Sequence, residues 1–293
     1  YKQPLARLQC EGSMRPTGVS DAAFVKMHGA GNDCVIIDQR IGIDQTIMPD
    51  QAGLRWLSDR RFGVGCDQII VLRKPQHGGA AQMMIFNSDG TVAQSCGNAT
   101  RCVARYLFDQ GLGDPLVIEA PERDLECRKI APATVTVDMG APCFACKSPL
   151  AIKALPKELP RPFYVSMGNP HCVFVLENES RLDQIDIAAT GRLVQGDGLF
   201  PDGVNVGFVA PLAAGRYRLR VFERGAGLTL ACGSGACAAF AVLSAQGFID
   251  DAKAVHLMLD GGELKLGFDD CGHIWMEGQA HYSFTGRVCS GSF

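Results

Sequence analysis

The sequence predicts an α+β protein made of two copies of one unit, and three observations carry that prediction. The first is a motif present twice. Ser95-Cys96-Gly97-Asn98-Ala99-Thr100-Arg101 is answered by Ala231-Cys232-Gly233-Ser234-Gly235-Ala236-Cys237, each a Cys-Gly-polar triplet opening an apolar run. The second is spacing. Asn32 stands 64 positions before Cys96 and Asn169 stands 63 before Cys232; Gln68 precedes Cys96 by 28 and Asn205 precedes Cys232 by 27; Asn87 and Glu223 each stand nine before their cysteine. Four anchors in one order at matched intervals argue for duplication. The third is the pattern between the anchors, in which short alternating runs outnumber helical ones.

Taken in order, Phe24 to His28 alternates as a strand, a turn follows at Gly29 to Gly31, and Val35 to Asp38 is a second strand, so Asn32 sits on a hairpin loop. Gln51 to Arg60 reads as a short helix with Leu54, Trp56 and Leu57 inward. Gly63 to Gln68 turns into the strand Ile69 to Leu72, and Met83 to Phe86 is another strand, closed by the turn Asn87-Ser-Asp-Gly90. From Asn98, Ala99, Cys102, Val103, Tyr106 and Leu107 recur at helical spacing, with Arg101, Arg105 and Asp109 as a polar stripe. Gly111 and Gly113 stop this helix. Leu116 to Glu119 and Thr134 to Asp138 are strands.

Near residue 140, after a Pro-rich connection, the second copy begins. Phe163 to Ser166 and Val173 to Leu176 flank Gly168-Asn169-Pro170-His171, a hairpin matching the one at Asn32. Leu182 to Leu193 reads as one helix; Val204 to Val209 and Arg216 to Phe222 read as strands. The run Ala238 to Leu243 is apolar on every side, so this helix belongs inside a sheet. Val255 to Leu259, Glu263 to Phe268, His273 to Glu277 and His281 to Val288 complete an antiparallel set whose last strands return to the first half. The expected division is residues 1–13 as a leader or tag, 14–140 with 278–293 as the half carrying Cys96, and 141–277 as the half carrying Cys232.

At 293 residues, 47% hydrophobic and 20% charged, the chain is long enough for two ordinary cores. A net charge of −3, with no basic run, offers nothing to nucleic acid, and no apolar run is long enough to span a bilayer. Thirteen cysteines, an odd number in a chain of this length, point to reduced thiols and a cytoplasmic location. Cys143-Phe-Ala-Cys146 has zinc or redox spacing but no second pair, so no metal is expected there. Cys10, Cys34, Cys66, Cys127, Cys172, Cys237, Cys271 and Cys289 are expected to be small core residues.

A Cys-Gly-polar triplet before a helix leaves backbone N–H groups free for an anion. A helix N-terminus also favours the thiolate, which should draw a cysteine down from about 8.5 toward neutrality. Two such cysteines on opposite faces of a carbon make a proton acceptor and a proton donor that exchange roles when the reaction reverses.

Phe24-Val-Lys-Met-His-Gly-Ala-Gly-Asn-Asp33, Asn87-Ser-Asp-Gly90, Cys96-Gly-Asn98 with Arg101-Cys102, Met167-Gly-Asn-Pro-His171, Asn205-Val-Gly-Phe208, and Glu223-Arg-Gly-Ala-Gly with Ala231 to Ala236 closely resemble the diaminopimelate epimerase family. The resemblance runs from about Phe24 to the C-terminus. It implies two pseudo-symmetric halves, each a curled, mostly antiparallel sheet around a central helix, with the site in the cleft between them. It implies a cofactor-independent isomerase that converts LL-diaminopimelate to the meso form for lysine and peptidoglycan synthesis, with a homodimer as the expected assembly. Cys96 and Cys232 would be the acid/base pair, and His171 and Glu223 would tune the thiols. Gly97, Asn98, Gly233 and Ser234 would hold the reacting carboxylate, and Glu223 the reacting ammonium. Asn32, Asn87, Asn169, Asn205 and Arg224 would hold the distal end, with Gln68 close by. Cys34, Cys66, Ala99 and Leu228 depart from the family pattern; Cys34 and Ala99 are expected to reshape the pocket. A two-cysteine racemase of another amino acid, such as histidine, and a thiol redox or metal-binding protein are the alternatives.

Overall fold

Two runs of the chain fold into the same succession of ladders. The computed structural model describes residues 22–40, 50–94, 96–145, 148–152, 155–250 and 253–288. The expected leader, Cys10, Cys146 and Cys289 lie outside the described residues.

The first run holds β1 (Ala23–Gly29), β2 (Asn32–Asp38), α1 (Gln51–Ser58), β3 (Gln68–Arg73), β4 (Ala81–Asn87), β5 (Val92–Ala93), α2 (Gly97–Asp109), β6 (Leu116–Glu119), β7 (Asp124–Ala131) and β8 (Thr134–Asp138). The second holds β9 (Phe163–Ser166), β10 (Pro170–Val175), α3 (Glu179–Gln184), α4 (Ile187–Gln195), β11 (Asn205–Ala213), β12 (Arg216–Glu223), β13 (Gly227–Thr229), α5 (Gly233–Ala245), β14 (Val255–Leu259), β15 (Gly262–Phe268) and β16 (Ile274–Gln279), followed by β17 (His281–Arg287). Strands β1 to β4 pair antiparallel, parallel, antiparallel, and β9 to β12 do the same. Each fourth strand carries a short antiparallel strand, β5 or β13, and a parallel one, β6 or β14. An antiparallel meander then closes each half, β6–β7–β8 and β14–β15–β16. The halves join where β8 pairs with β16, and β17 returns to pair with β1.

Each sheet curls around one helix. α5 buries ten of its residues, Phe240 at its centre, in a core with Val221, Leu257, Leu264 and Met276. At about 2 kcal/mol for each fully buried large apolar side chain, this burial places the helix. α2 does the same in the first half through Cys102, Val103, Leu107 and Phe108. Smaller cores on the outer faces lie under α1 and under α3 and α4.

Several expectations are corrected here. Trp56 is 39% exposed, because only Leu54 and Leu57 of α1 reach the sheet. The expected helix over 182–193 is two helices, since Asp186 accepts the Ala189 N–H and caps a new start at Ile187. Arg101 is no surface residue: it is fully buried. Cys271 is exposed in the turn before β16 rather than in a core. β5, β7 and β13 were not expected; the first and last are too short to show a period.

Candidate active site

The two enclosed helices point their N-termini at each other. Cys96 is the N-cap of α2 and Cys232 the N-cap of α5. Approach is close because the first helical residue of each is glycine. A Cβ on Gly233 would lie 3.4 Å from the Gly97 Cα, and a Cβ on Gly97 would lie 2.5 Å from the Met276 methyl. Asn98 Nδ2 donates across the gap to Ala231 O (3.2 Å), so the first turn of one helix is tied to the strand end before the other.

A cavity of about 1150 Å³ opens at this junction, and every site residue expected from sequence lines it except His171. Strand ends of both halves bring these residues together: Gln68, at the start of β3, faces Asn87 at the end of β4, and Asn205 stands at the start of β11. Asn205 Oδ1 accepts the Arg224 N–H (2.9 Å) and its Nδ2 donates to Pro170 O (3.3 Å). Arg224 Nη1 donates to Asp202 O (2.9 Å). Asn169 Nδ2 donates to Ser234 Oγ (3.3 Å). His171 lies behind this layer, 1% exposed, with Nε2 bonded to Asn169 Oδ1 (2.9 Å); among the described residues no hydrogen bond links it to a thiol. Burial and the nearby Arg224 charge lower its pKa to about 3, so the ring is neutral.

The thiols have different partners. Cys232 Sγ donates to Glu223 Oε2 (3.0 Å), whose other oxygen accepts from Thr229 Oγ1 (2.5 Å). Cys96 Sγ accepts the Ala99 N–H (3.4 Å) and lies 3.8 Å from Asn32 Oδ1. Burial pushes the Cys96 thiol up to about 12 and the Cys232 thiol well above its usual value, in both cases with help from the Glu223 carboxylate. This corrects the expectation from the helix ends, whose N–H groups act in the opposite direction but are outweighed by desolvation. Burial likewise raises Glu223.

Sequence reasoning missed an ion cluster at one end of the cavity. Arg60 bridges Asp33 (2.8 and 2.9 Å) and Asp67 (2.8 Å), and Lys26 pairs with Asp33 (2.8 Å). The acids flanking Asn32 and Gln68 were its only signal. Also missed were Val92 and Leu230, exposed apolar side chains on the rim beside Leu228. A second pocket of about 170 Å³, lined by Glu122 and Arg123, reaches Cys96 from the other side. Cys34 and Ala99 do not line the cavity; both are buried in the core behind it, so of the departures Leu228 lines the cavity and Ala99 meets Cys96 through its backbone N–H.

Fold and cleft together define a class, the α+β proteins made of two repeated halves that close on one site. Within it the structure is similar to a PhzF-family phenazine biosynthesis protein from Bacillus anthracis, with a TM-score of 0.71 at 14% identity over 92% of this chain and 99% of that one. It is also similar to a probable proline racemase from Agrobacterium radiobacter K84, with a TM-score of 0.68 at 16% identity over 93% and 94%. The family model for diaminopimelate epimerase matches residues 24–145 and 163–283. Proteins named diaminopimelate epimerase share 43% identity in Xanthomonas euvesicatoria pv. vesicatoria, over 90% of this chain and 95% of that one, and 38% in Rhodospirillum centenum, over 90% and 91%. The chain belongs to the diaminopimelate epimerase family.

Proposed function

We propose that this protein is a cofactor-independent isomerase that interconverts LL- and meso-2,6-diaminopimelate. The observation that carries the reading is the pair of thiols at facing helix N-termini in one polar cavity. A carboxylate on the N–H groups after Cys96 and Cys232 would place the α-carbon between the sulfurs. One thiolate takes the α-proton, the electron pair left on carbon spreads into the carboxylate, and the opposite thiol gives its proton to the other face. Gly97, Asn98, Gly233 and Ser234 hold the carboxylate. A substrate ammonium beside Glu223 offsets the burial that raises both thiols. Asn32, Asn87, Asn169, Asn205, Gln68 and Arg224 hold the distal amino-acid end, where amide oxygens accept from the ammonium and Arg224 pairs with the carboxylate. His171 acts through Asn169.

The halves are 14–140 with 278–293 and 141–277, consistent with β17 pairing to β1. β17 carries exposed Tyr282 and Phe284, a surface suited to a second copy in a homodimer. The cysteine content favours the cytoplasm.

Solvent-deuterium exchange at the α-carbon tests the reading. LL-diaminopimelate is expected to be epimerised with deuterium incorporation, untouched by chelators. Lysine, histidine and alanine are expected to react about 10⁴-fold less efficiently, because each leaves distal polar groups unpaired. Comparable kcat/KM for any of them would replace this reading with that of a different amino-acid racemase.

A further inference from the structure

Arg101 heads the large side chains that the fold buries completely, at 0% exposure. It stands in the second turn of α2, under the floor of the cleft. Nη2 donates to Asn98 Oδ1 (2.6 Å), and Nη1 approaches Gly97 O (3.4 Å) and Met276 Sδ (3.5 Å). Nε has no partner. Among the described residues, none of its partners is a carboxylate. Glycines make room for it: a Cβ on Gly29 would lie 3.1 Å from Nη2 and one on Gly278 would lie 3.0 Å from Nε.

Taking a guanidinium out of water without an opposite charge is strongly unfavourable, and the positive end of the α2 dipole beside it makes the placement worse. Burial lowers its pKa, yet a guanidinium stays protonated. Among the described residues no carboxylate bonds to it, and the acidic side chains that act on it are the thiols of Cys102, Cys96 and Cys237, of which burial keeps the last two protonated. The place for a balancing negative charge is directly above, at the N–H groups opening α2 and α5, where an anion is favoured.

We propose that Arg101 is the positioning and counter-charge residue of the anion site at the two helix N-termini, fixing Asn98 and balancing the carboxylate of an α-amino acid held there. The proposal rests on the epimerase reading and deepens it with a residue that touches no substrate. Asn98 is the link: Oδ1 is taken by Arg101 and Nδ2 by Ala231 O, so its amide cannot flip and its backbone N–H keeps one direction. When the α-proton moves to a thiolate, the bonding pair moves toward the carboxylate oxygens, and a fixed positive charge beneath them favours that shift.

Arg101→Gln and Arg101→Lys test it. The Gln variant is expected to lose about 100-fold in kcat/KM, and the Lys variant to recover at least about tenfold of that. A second readout needs no substrate: the pH midpoint for iodoacetamide alkylation of Cys96, followed by peptide mapping. The charged and titratable groups facing Cys96 are Glu223 across the cleft, Arg101 and Cys102 on α2, Cys34 on β2, and Glu122 and Arg123 across the side pocket. Loss of the cation is expected to raise the midpoint by about one pH unit, and Lys to restore it. An unchanged midpoint or an unchanged kcat/KM in Arg101→Gln overturns the proposal, as does a Lys variant identical to Gln in both. Absence of LL-diaminopimelate turnover by wild type would instead overturn the epimerase reading. If neither variant folds, wild type decides the matter: L-lysine is expected to raise the melting temperature more than 1,5-pentanediamine, which lacks only the carboxylate. A rise no greater for lysine overturns the proposal.

Discussion

Cys96 and Cys232 are the N-cap residues of equivalent helices in equivalent halves, yet Cys96 faces an amide oxygen and accepts the Ala99 N–H, whereas Cys232 faces a carboxylate and the Ser234 hydroxyl. An amide cannot take a proton at neutral pH; a carboxylate can. Cys232 therefore has a place within the protein to send its proton. Cys96 instead borders two cavities and is partly exposed, while Cys232 is 4% exposed. Duplication has preserved the ladders and the helix ends, and the chemistry has diverged in the side chains that loops bring to them.

The largest effect expected follows from what the two sites share. Cys96→Ala and Cys232→Ala should each lower epimerisation by at least about 10³-fold, because each removes the acceptor in one direction and the donor in the other. Chromatographic resolution of LL from meso product checks this; either variant within tenfold of wild type would break the equivalence of the halves. The next effect follows from what they do not share. Glu223→Gln should cost about 10²-fold and Asn32→Ala about tenfold or less, since only Glu223 is able to hold a proton. Burial raises the Glu223 carboxyl, so its proton-accepting form is lost as pH falls through that raised value. The acid limb of the wild-type kcat/KM profile should therefore disappear in Glu223→Gln. A larger loss for Asn32→Ala would reverse the comparison.

The duplication was legible because a repeated backbone needs the same turn and cap residues at the same intervals, and α5 was legible because a helix apolar on all sides has nowhere else to go. What stayed hidden depends on contacts between segments distant in sequence. Arg101 lies on a polar stripe by periodicity, and contacts with Asn98, Gly97 and Met276 between the glycines of β1 and β16 give it a buried berth. The cluster of Arg60 with Asp33 and Asp67 needs the parallel pairing of β2 with β3 to bring its acids together. The helix-end effect on the thiols was read correctly in sign but loses to burial, which no spacing reports.

His171 stands where the first half has Cys34, each paired across a parallel ladder with the next anchor, Asn205 or Gln68, and the imidazole in place of a thiol supplies a smaller effect, read in stability. Its pKa is lowered to about 3 in the fold, against about 6.5 in an unfolded chain. Between these values the unfolded chain binds the proton and the folded one does not, so its contribution is complete above pH 6.5 and is lost progressively as pH falls toward 3. The slope is at most about 1.4 kcal/mol per pH unit. Urea melts from pH 7 to pH 4 should show wild type losing more stability than His171→Asn. Equal losses would mean that His171 meets solvent in the native state.

The smallest effect expected sharpens the proposal that Cys96 and Cys232 are the cysteines that do chemistry. Cys143 is exposed, lines neither cavity, and meets Ser166 only through its backbone, whose N–H and C=O form a two-bond bridge (2.9 and 2.8 Å). Alanine keeps both bonds and removes a side chain that already faces solvent. Cys143→Ala should then change stability by no more than about 0.5 kcal/mol and kcat/KM by less than about twofold. The bridge holds the end of β9 just before Met167 and Asn169, so a backbone disturbance there would reach the cleft through Ser234. Proline tests that route, because it removes the Cys143 N–H that Ser166 O accepts, and Cys143→Pro should lower kcat/KM where alanine does not. Equal kinetics for the two variants would show that the bridge does not position Asn169, and a marked loss in alanine would give the Cys143 thiol a part in the reaction.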